Sequence, residues 1–138
     1  QEKWLDVGFL AMHGAANLGL VATAAAFDHG KEWFGDVLAY LQRNRDDLIA
    51  FVEQRLPHAK VTHPEGTYVA WLDFSAYDLG PELQPFFIEH AGVMCTEGTA
   101  CGASGAGHVR FIFAMPHPVM MDALERIARA LDDVPLKG

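Results

Sequence analysis

Arg110 is the side chain with the clearest chemical potential. It lies in the run His108–Ala114 (HVRFIFA), where every residue after it is apolar. Alternation along such a run reads as a β-strand. Val109, Phe111 and Phe113 share one face, and Arg110, Ile112 and Ala114 the other. A guanidinium is a planar fork of donors that holds a carboxylate through two parallel hydrogen bonds, which an ammonium does less well. On the residues alone two readings stand: a charge on a half-solvated sheet face, or a positioned anion receptor. The half-solvated face leads on the residues alone, and the apolar residues sharing that face lend the receptor slight support.

The stretch before this strand is rich in glycine, with Gly102, Gly105 and Gly107 spaced G-x-x-G-x-G. A phosphate-binding loop sets such glycines ahead of a helix N-terminus, where free N–H groups meet the anion, and a Walker loop adds a lysine. Here the glycines lead into a strand and no lysine follows, so the pattern reads as a bendable turn. Cys95 and Cys101 are spaced C-x5-C with no histidine at ligand spacing, which argues against zinc. They read as small buried or loop residues. The histidines (13, 29, 58, 63, 90, 108 and 117) are scattered, with His117 at a helix start and His90 at a helix end. None has the setting of a general base. Lys3, Lys31, Lys60 and Lys137 show no context for a desolvated, reactive amine. No catalytic residue and no metal site is assigned.

Elements that position Arg110 follow from periodicity. Phe9–Asn17 reads as irregular, and Leu18–Phe27, apolar all round, as a buried helix. Asp28 suits a cap for the next helix, with Gly30 marking a break. Lys31–Leu56 is helical, its stripe running through Trp33, Val37, Tyr40, Leu41, Leu48, Phe51 and Val52, and Pro57 ends it. Lys60–His63 and Thr67–Phe74 read as a hairpin around Pro64-Glu65-Gly66, where glycine tolerates positive φ. Pro81–His90 is a short helix with Leu83, Phe86, Phe87 and His90 on one side. Val93–Cys95 is a short extended piece. Pro118–Leu131 is the last helix, buried along Val119, Ala123, Leu124, Ile127 and Leu131. The order predicts an α+β fold: a small, mainly antiparallel sheet covered by helices.

Bulk properties narrow the class. The chain of 138 residues is 51% hydrophobic and 20% charged, a globular composition. Eighteen acidic residues against ten Lys and Arg give a net charge of -8, which disfavours nucleic acid as a partner. No apolar run reaches the roughly twenty residues of a membrane span. Few cysteines point to a reducing, cytoplasmic setting. The first residue is Gln1, and the chain reads as a piece of a longer protein.

Pro64–Ser75 (PEGTYVAWLDFS) followed by Ala91–Pro116 (AGVMCTEGTACGASGAGHVRFIFAMP) resembles the C-terminal region of pyridoxal-phosphate-dependent class I/II aminotransferases of fold type I. Within that family it is most similar to the cystathionine β-lyase-like (MalY/PatB) C–S lyases. A P-x-G-[ST]-[YF] turn and strand, a glycine loop and an H-[VI]-R strand start carry the match. His13–Phe27, followed by a long helix, fits as well. The loop departs from the family in having Glu97-Gly98 for Pro-Gly, and Ala100 or Cys101 for an aromatic residue.

The resemblance implies a division of the chain. Residues 1–28 would belong to or contact a large domain, and residues 29–138 would form the C-terminal small domain. Arg110 would bind the substrate α-carboxylate, with Gly98, Gly102 and Tyr68 at the active-site rim. Pyridoxal phosphate, an amino-acid substrate and a homodimer partner are implied for the parent. The segment around Phe9–Asn17 would approach the partner subunit's site. No lysine here matches the cofactor's Schiff-base lysine, so the chain alone would be inactive and would not bind the cofactor. A non-catalytic α+β ligand-binding or regulatory module is the alternative.

Overall fold

The computed structural model describes residues 16–138. Lys3 and His13, and all but the last two residues of the Phe9–Asn17 segment, lie outside that range. The chain divides into two compact units, Gln1–Leu38 and Ala39–Gly138.

In the first unit, α1 (Asn17–His29) ends at Gly30, and α2 (Lys31–Arg55) starts directly after it and continues into the second unit. Gly30 makes the expected break, since a Cβ there would overlap the Ala26 carbonyl oxygen. Asp28 belongs to the last turn of α1 rather than capping α2. The expected burial of α1 is not seen, for no residue of that helix is buried. Leu18, Val21 and Phe27 are exposed, as is Trp33 at 69%, so among the described residues nothing covers the start of the apolar stripe of α2. Ala26, Phe27, Gly30, Lys31, Trp33 and Phe34 line an open apolar cavity of about 450 Å³.

The second unit carries the sheet. Strands β1 (Lys60–Val61), β2 (Val69–Asp73), β3 (Thr96–Glu97) and β4 (His108–Ile112) lie in the order β1-β2-β4-β3, every pair antiparallel. The β1–β2 pair is the expected hairpin. Its turn takes positive φ at Thr67 (66°) and not at Gly66. The Thr67 hydroxyl accepts the Val69 N–H at 3.1 Å, a local bond that helps hold a conformation β-branched residues rarely adopt. Pairing at β3 starts at Thr96, one residue past the expected Val93–Cys95.

One sheet face is dry. Ala70 and Leu72 of β2 and Val109 and Phe111 of β4 join Leu48, Phe51 and Val52 of α2 in a single core. Helix α3 (Leu83–Phe86) continues into a π-helical turn, Phe87–Ala91, which ends at Gly92 with φ 62°. Helix α4 (His117–Leu131) buries Met120, Ala123, Leu124, Ile127, Ala128 and Leu131. Val119, expected in that stripe, is 54% exposed. The core meets α4 one residue further round, and Met120, equally apolar, takes the buried position.

Candidate active site

The opposite sheet face is half-buried and carries the polar groups. Register places Trp71 across from Arg110, Asp73 across from His108 and Val69 across from Ile112. Thr96 faces Arg110 from the other side. Arg110 is therefore held in a central strand, with paired neighbours on both flanks. Its Nε is buried and has no hydrogen-bond partner. Among the described residues no carboxylate pairs with its guanidinium. A buried donor without an acceptor costs about 1–3 kcal/mol.

Asp73, the carboxylate that β2 places on that face, is engaged elsewhere. Asp73 Oδ1 accepts the Ser75 N–H at 2.8 Å, and lies 3.8 Å from His108 Nε2, while Oδ2 lies 3.8 Å from Lys60 Nζ. Burial pushes the Asp73 carboxyl up, but the bonds from Ser75 and the charges of His108 and Lys60 outweigh it and hold it below its ordinary range. His108 Nδ1 lies 2.9 Å from the Ala106 carbonyl oxygen, which can only accept, so Nδ1 is the donor. Its ring stacks on Trp71, with centroids 5.5 Å apart and planes 21° apart. Trp71 and His108 thus form an aromatic wall beside Arg110.

The glycine loop is built differently from the bendable turn read in the sequence. It consists of two 3-10 turns, Gly98–Cys101 and Ala103–Gly105. Gly98 and Gly105 are both buried and pack backbone to backbone, so that a Cβ on either would overlap the other's carbonyl oxygen. Gly102 (φ 134°) and Gly107 (φ 76°) supply the left-handed corners. Close approach and chain reversal, rather than looseness, require the glycines. Of the rim residues, Gly98 is inside the loop, Gly102 is exposed, and Tyr68 is 50% exposed with its carbonyl accepting the Phe113 N–H at 3.0 Å.

Further residues that shape the site give little sequence signal. Glu97 Oε2 accepts the Leu83 and Gln84 N–H groups, each at 2.8 Å, and ties β3 to the start of α3. Gln84 returns a bond from Nε2 to the Cys95 carbonyl at 2.6 Å. The partners sit too far along the chain for any local motif. Trp71 was findable by alternation in TYVAWLDF, but only strand register puts it against Arg110. Cys95 is buried, and burial pushes its thiol up to about 12, whereas Cys101 is exposed. Lys31, Lys60 and Lys137 are all exposed, so none is a desolvated amine. Among the described residues no cluster of His, Cys, Asp and Glu could hold a metal ion, and no helix is long and apolar enough to cross a membrane.

No protein-family model matches the chain. Individual proteins do. Cystathionine beta-lyase PatB of Bacillus subtilis is 33% identical over 119 residues, a match covering 86% of this chain and 31% of that protein. The PLP-bound C–S lyase of Staphylococcus hominis superposes with a TM-score of 0.82 at 33% identity, over 96% of this chain and 35% of that one. Cystalysin of Treponema denticola, whose structure contains pyridoxal 5'-phosphate, gives 0.78 at 29% identity, over 86% and 30%. The chain spans about a third of the length of the curated relatives it matches.

Sheet, helices and these likenesses define the class: the chain matches the C-terminal portion of the pyridoxal-phosphate-dependent fold type I enzymes, the C–S lyases and aminotransferases. Its homologues are cystathionine β-lyases of the MalY/PatB kind.

Proposed function

We propose that the chain is the small domain of a pyridoxal-phosphate-dependent enzyme acting on amino acids, either a C–S β-lyase or an aminotransferase, and that Arg110 grips the substrate α-carboxylate. One observation carries this reading: a buried guanidinium nitrogen without a partner, in a central strand of a fold shared with PLP-bound enzymes. The residues present fit a substrate receptor and not a cofactor anchor, since every described lysine is exposed.

When bound, the cofactor supplies an electron sink for charge developing at the substrate Cα. What this chain contributes is position. A bidentate grip on the carboxylate removes rotation about the bond to Cα and so fixes the direction of the Cα–H bond. Trp71 and Thr96 stand opposite Arg110 in the two neighbouring strands, which places it inside the sheet and not at its edge. Gly98, Gly102 and Tyr68 border the entrance, the packed loop giving a fixed edge. In this reading residues 1–28 contact the large domain and residues 29–138 form the small one. The exposed apolar surface of α1 supports that division. The intact protein is a cytoplasmic homodimer, and the segment around Phe9–Asn17 approaches the partner's site. The chain alone is inactive.

The test uses the full-length protein beside this chain. With pyridoxal phosphate added, the full-length protein develops a visible absorption band and either releases thiol from L-cystathionine or exchanges amino groups with a keto acid. The chain alone does neither. A full-length protein without the band contradicts the proposal.

A further inference from the structure

Asn44 is the one polar residue in the buried core of the described chain, at 0% exposure on α2. Its Nδ2 donates both hydrogens, one to the Phe113 carbonyl and one to the Met115 carbonyl, each at 2.9 Å. These carbonyls lie just past the end of β4. Phe113 is held on its other side too, its N–H bonded to the Tyr68 carbonyl at 3.0 Å. Both backbone groups of the first residue past the strand are therefore fixed.

The same stripe of α2 holds the chain beyond. Tyr40, Asn44 and Asp47 stand at i, i+4 and i+7, one above another on one helix face. The Tyr40 hydroxyl accepts the His117 N–H at 2.6 Å, and Asp47 Oδ2 lies 2.7 Å from His117 Nε2. The turn from β4 into α4 is thus gripped by three side chains of one helix.

The arrangement has a cost. Asn44 Oδ1 is buried and without a partner. An apolar residue of similar volume would fill the space with no orphaned acceptor. A half-satisfied buried amide has to do something that packing alone does not. Arg110 lies three residues before Phe113, roughly 10 Å away at the rise of an extended chain. Rotation of the strand end changes the pleat, and with it the direction in which the guanidinium fork points.

We propose that Asn44 is a positioning residue for the carboxylate site: by clamping the exit of β4 it sets the aim of Arg110. The inference rests on the carboxylate role of Arg110, and its test separates the two.

In the full-length enzyme loaded with cofactor, Asn44→Ala, Asn44→Ser, Arg110→Ala and the double variant Asn44→Ala/Arg110→Ala are compared. The readouts are kcat and KM for L-cystathionine, the inhibition constant of propionate (a carboxylate lacking the amine), and the cofactor absorption band. Asn44→Ala is expected to raise KM and the propionate constant by ~10-fold or more, as a misaimed fork should, with the band unchanged and kcat within ~3-fold. Asn44→Ser, which keeps one donor, falls between. In the Arg110→Ala background the Asn44 change adds less than ~2-fold, the non-additivity of groups acting as one unit. The inference is overturned if propionate binds Asn44→Ala as it binds the parent. An equal loss with and without Arg110 overturns it as well. So does failure of both Asn44 variants to fold, which would make the clamp a fold determinant only. If Arg110→Ala itself leaves KM and propionate binding unchanged, the carboxylate assignment fails first and takes this inference with it.

Discussion

Gly98 and Gly105 stand backbone against backbone, and neither has room for a Cβ beside the other's carbonyl oxygen. The contact closes the loop between β3 and β4, the strand that carries Arg110. Gly98→Ala is expected to destabilise the protein by at least ~2 kcal/mol, because backbone and not a flexible side chain must move. Gly35→Ala in α2, where nothing lies within 4 Å, is expected to stabilise by ~0.5–1 kcal/mol through lost backbone freedom of the unfolded chain. Urea denaturation distinguishes them. Equal midpoints would mean that the loop can open to accept a methyl group.

Leu124 and Val119 separate the buried and exposed sides of α4. Leu124 is fully buried and Val119 is 54% exposed. Leu124→Ala should cost ~2–5 kcal/mol, the loss of buried methyl groups plus the cavity left behind. Val119→Ala should stay within ~0.5 kcal/mol. The same denaturation series reports both, and a large cost at Val119 would show that its face is covered in the protein tested.

Asp73 makes stability depend on acid. Its folded-state pKa is depressed, so its contribution is present above the unfolded value, near ~3.9, and is lost as pH falls through the lower folded value. Asp73→Asn should reduce stability at neutral pH by a small amount, discounted because the group is partly solvated and screened. It should also remove part of the decline seen below about pH 4. Thermal melting of parent and variant from neutral to acid pH is the measurement. Parallel pH curves would mean that Asp73 titrates alike folded and unfolded.

Local periodicity made much of the fold legible. Alternation in HVRFIFA put Val109 and Phe111 on the core side and Arg110 opposite, and both strands of the β1–β2 hairpin could be read from composition. Failures share a cause: they depend on partners distant in sequence. The amide of Asn44 reaches a carbonyl 69 residues away, and Glu97 caps a helix start 14 residues before it. Val119 and Met120 are both apolar, and only the direction of the core chooses between them. The apolar surface of α1 reports that the helix is suited to a cover, which composition alone does not supply. As for the site, Arg110 was legible as a suspicious charge in an apolar strand, whereas its flanking by Trp71 and Thr96 needed register.

The central claim is that Arg110 receives the substrate carboxylate, and the most direct measurement is kcat/KM of the full-length enzyme with Arg110 replaced. Arg110→Ala should lower kcat/KM for an amino-acid substrate by at least ~2 kcal/mol, roughly 30-fold, with the cofactor band intact. Arg110→Lys should recover only part of that loss, since a point charge cannot reproduce the planar fork. Unchanged kcat/KM in Arg110→Ala would remove Arg110 from the site and contradict the account.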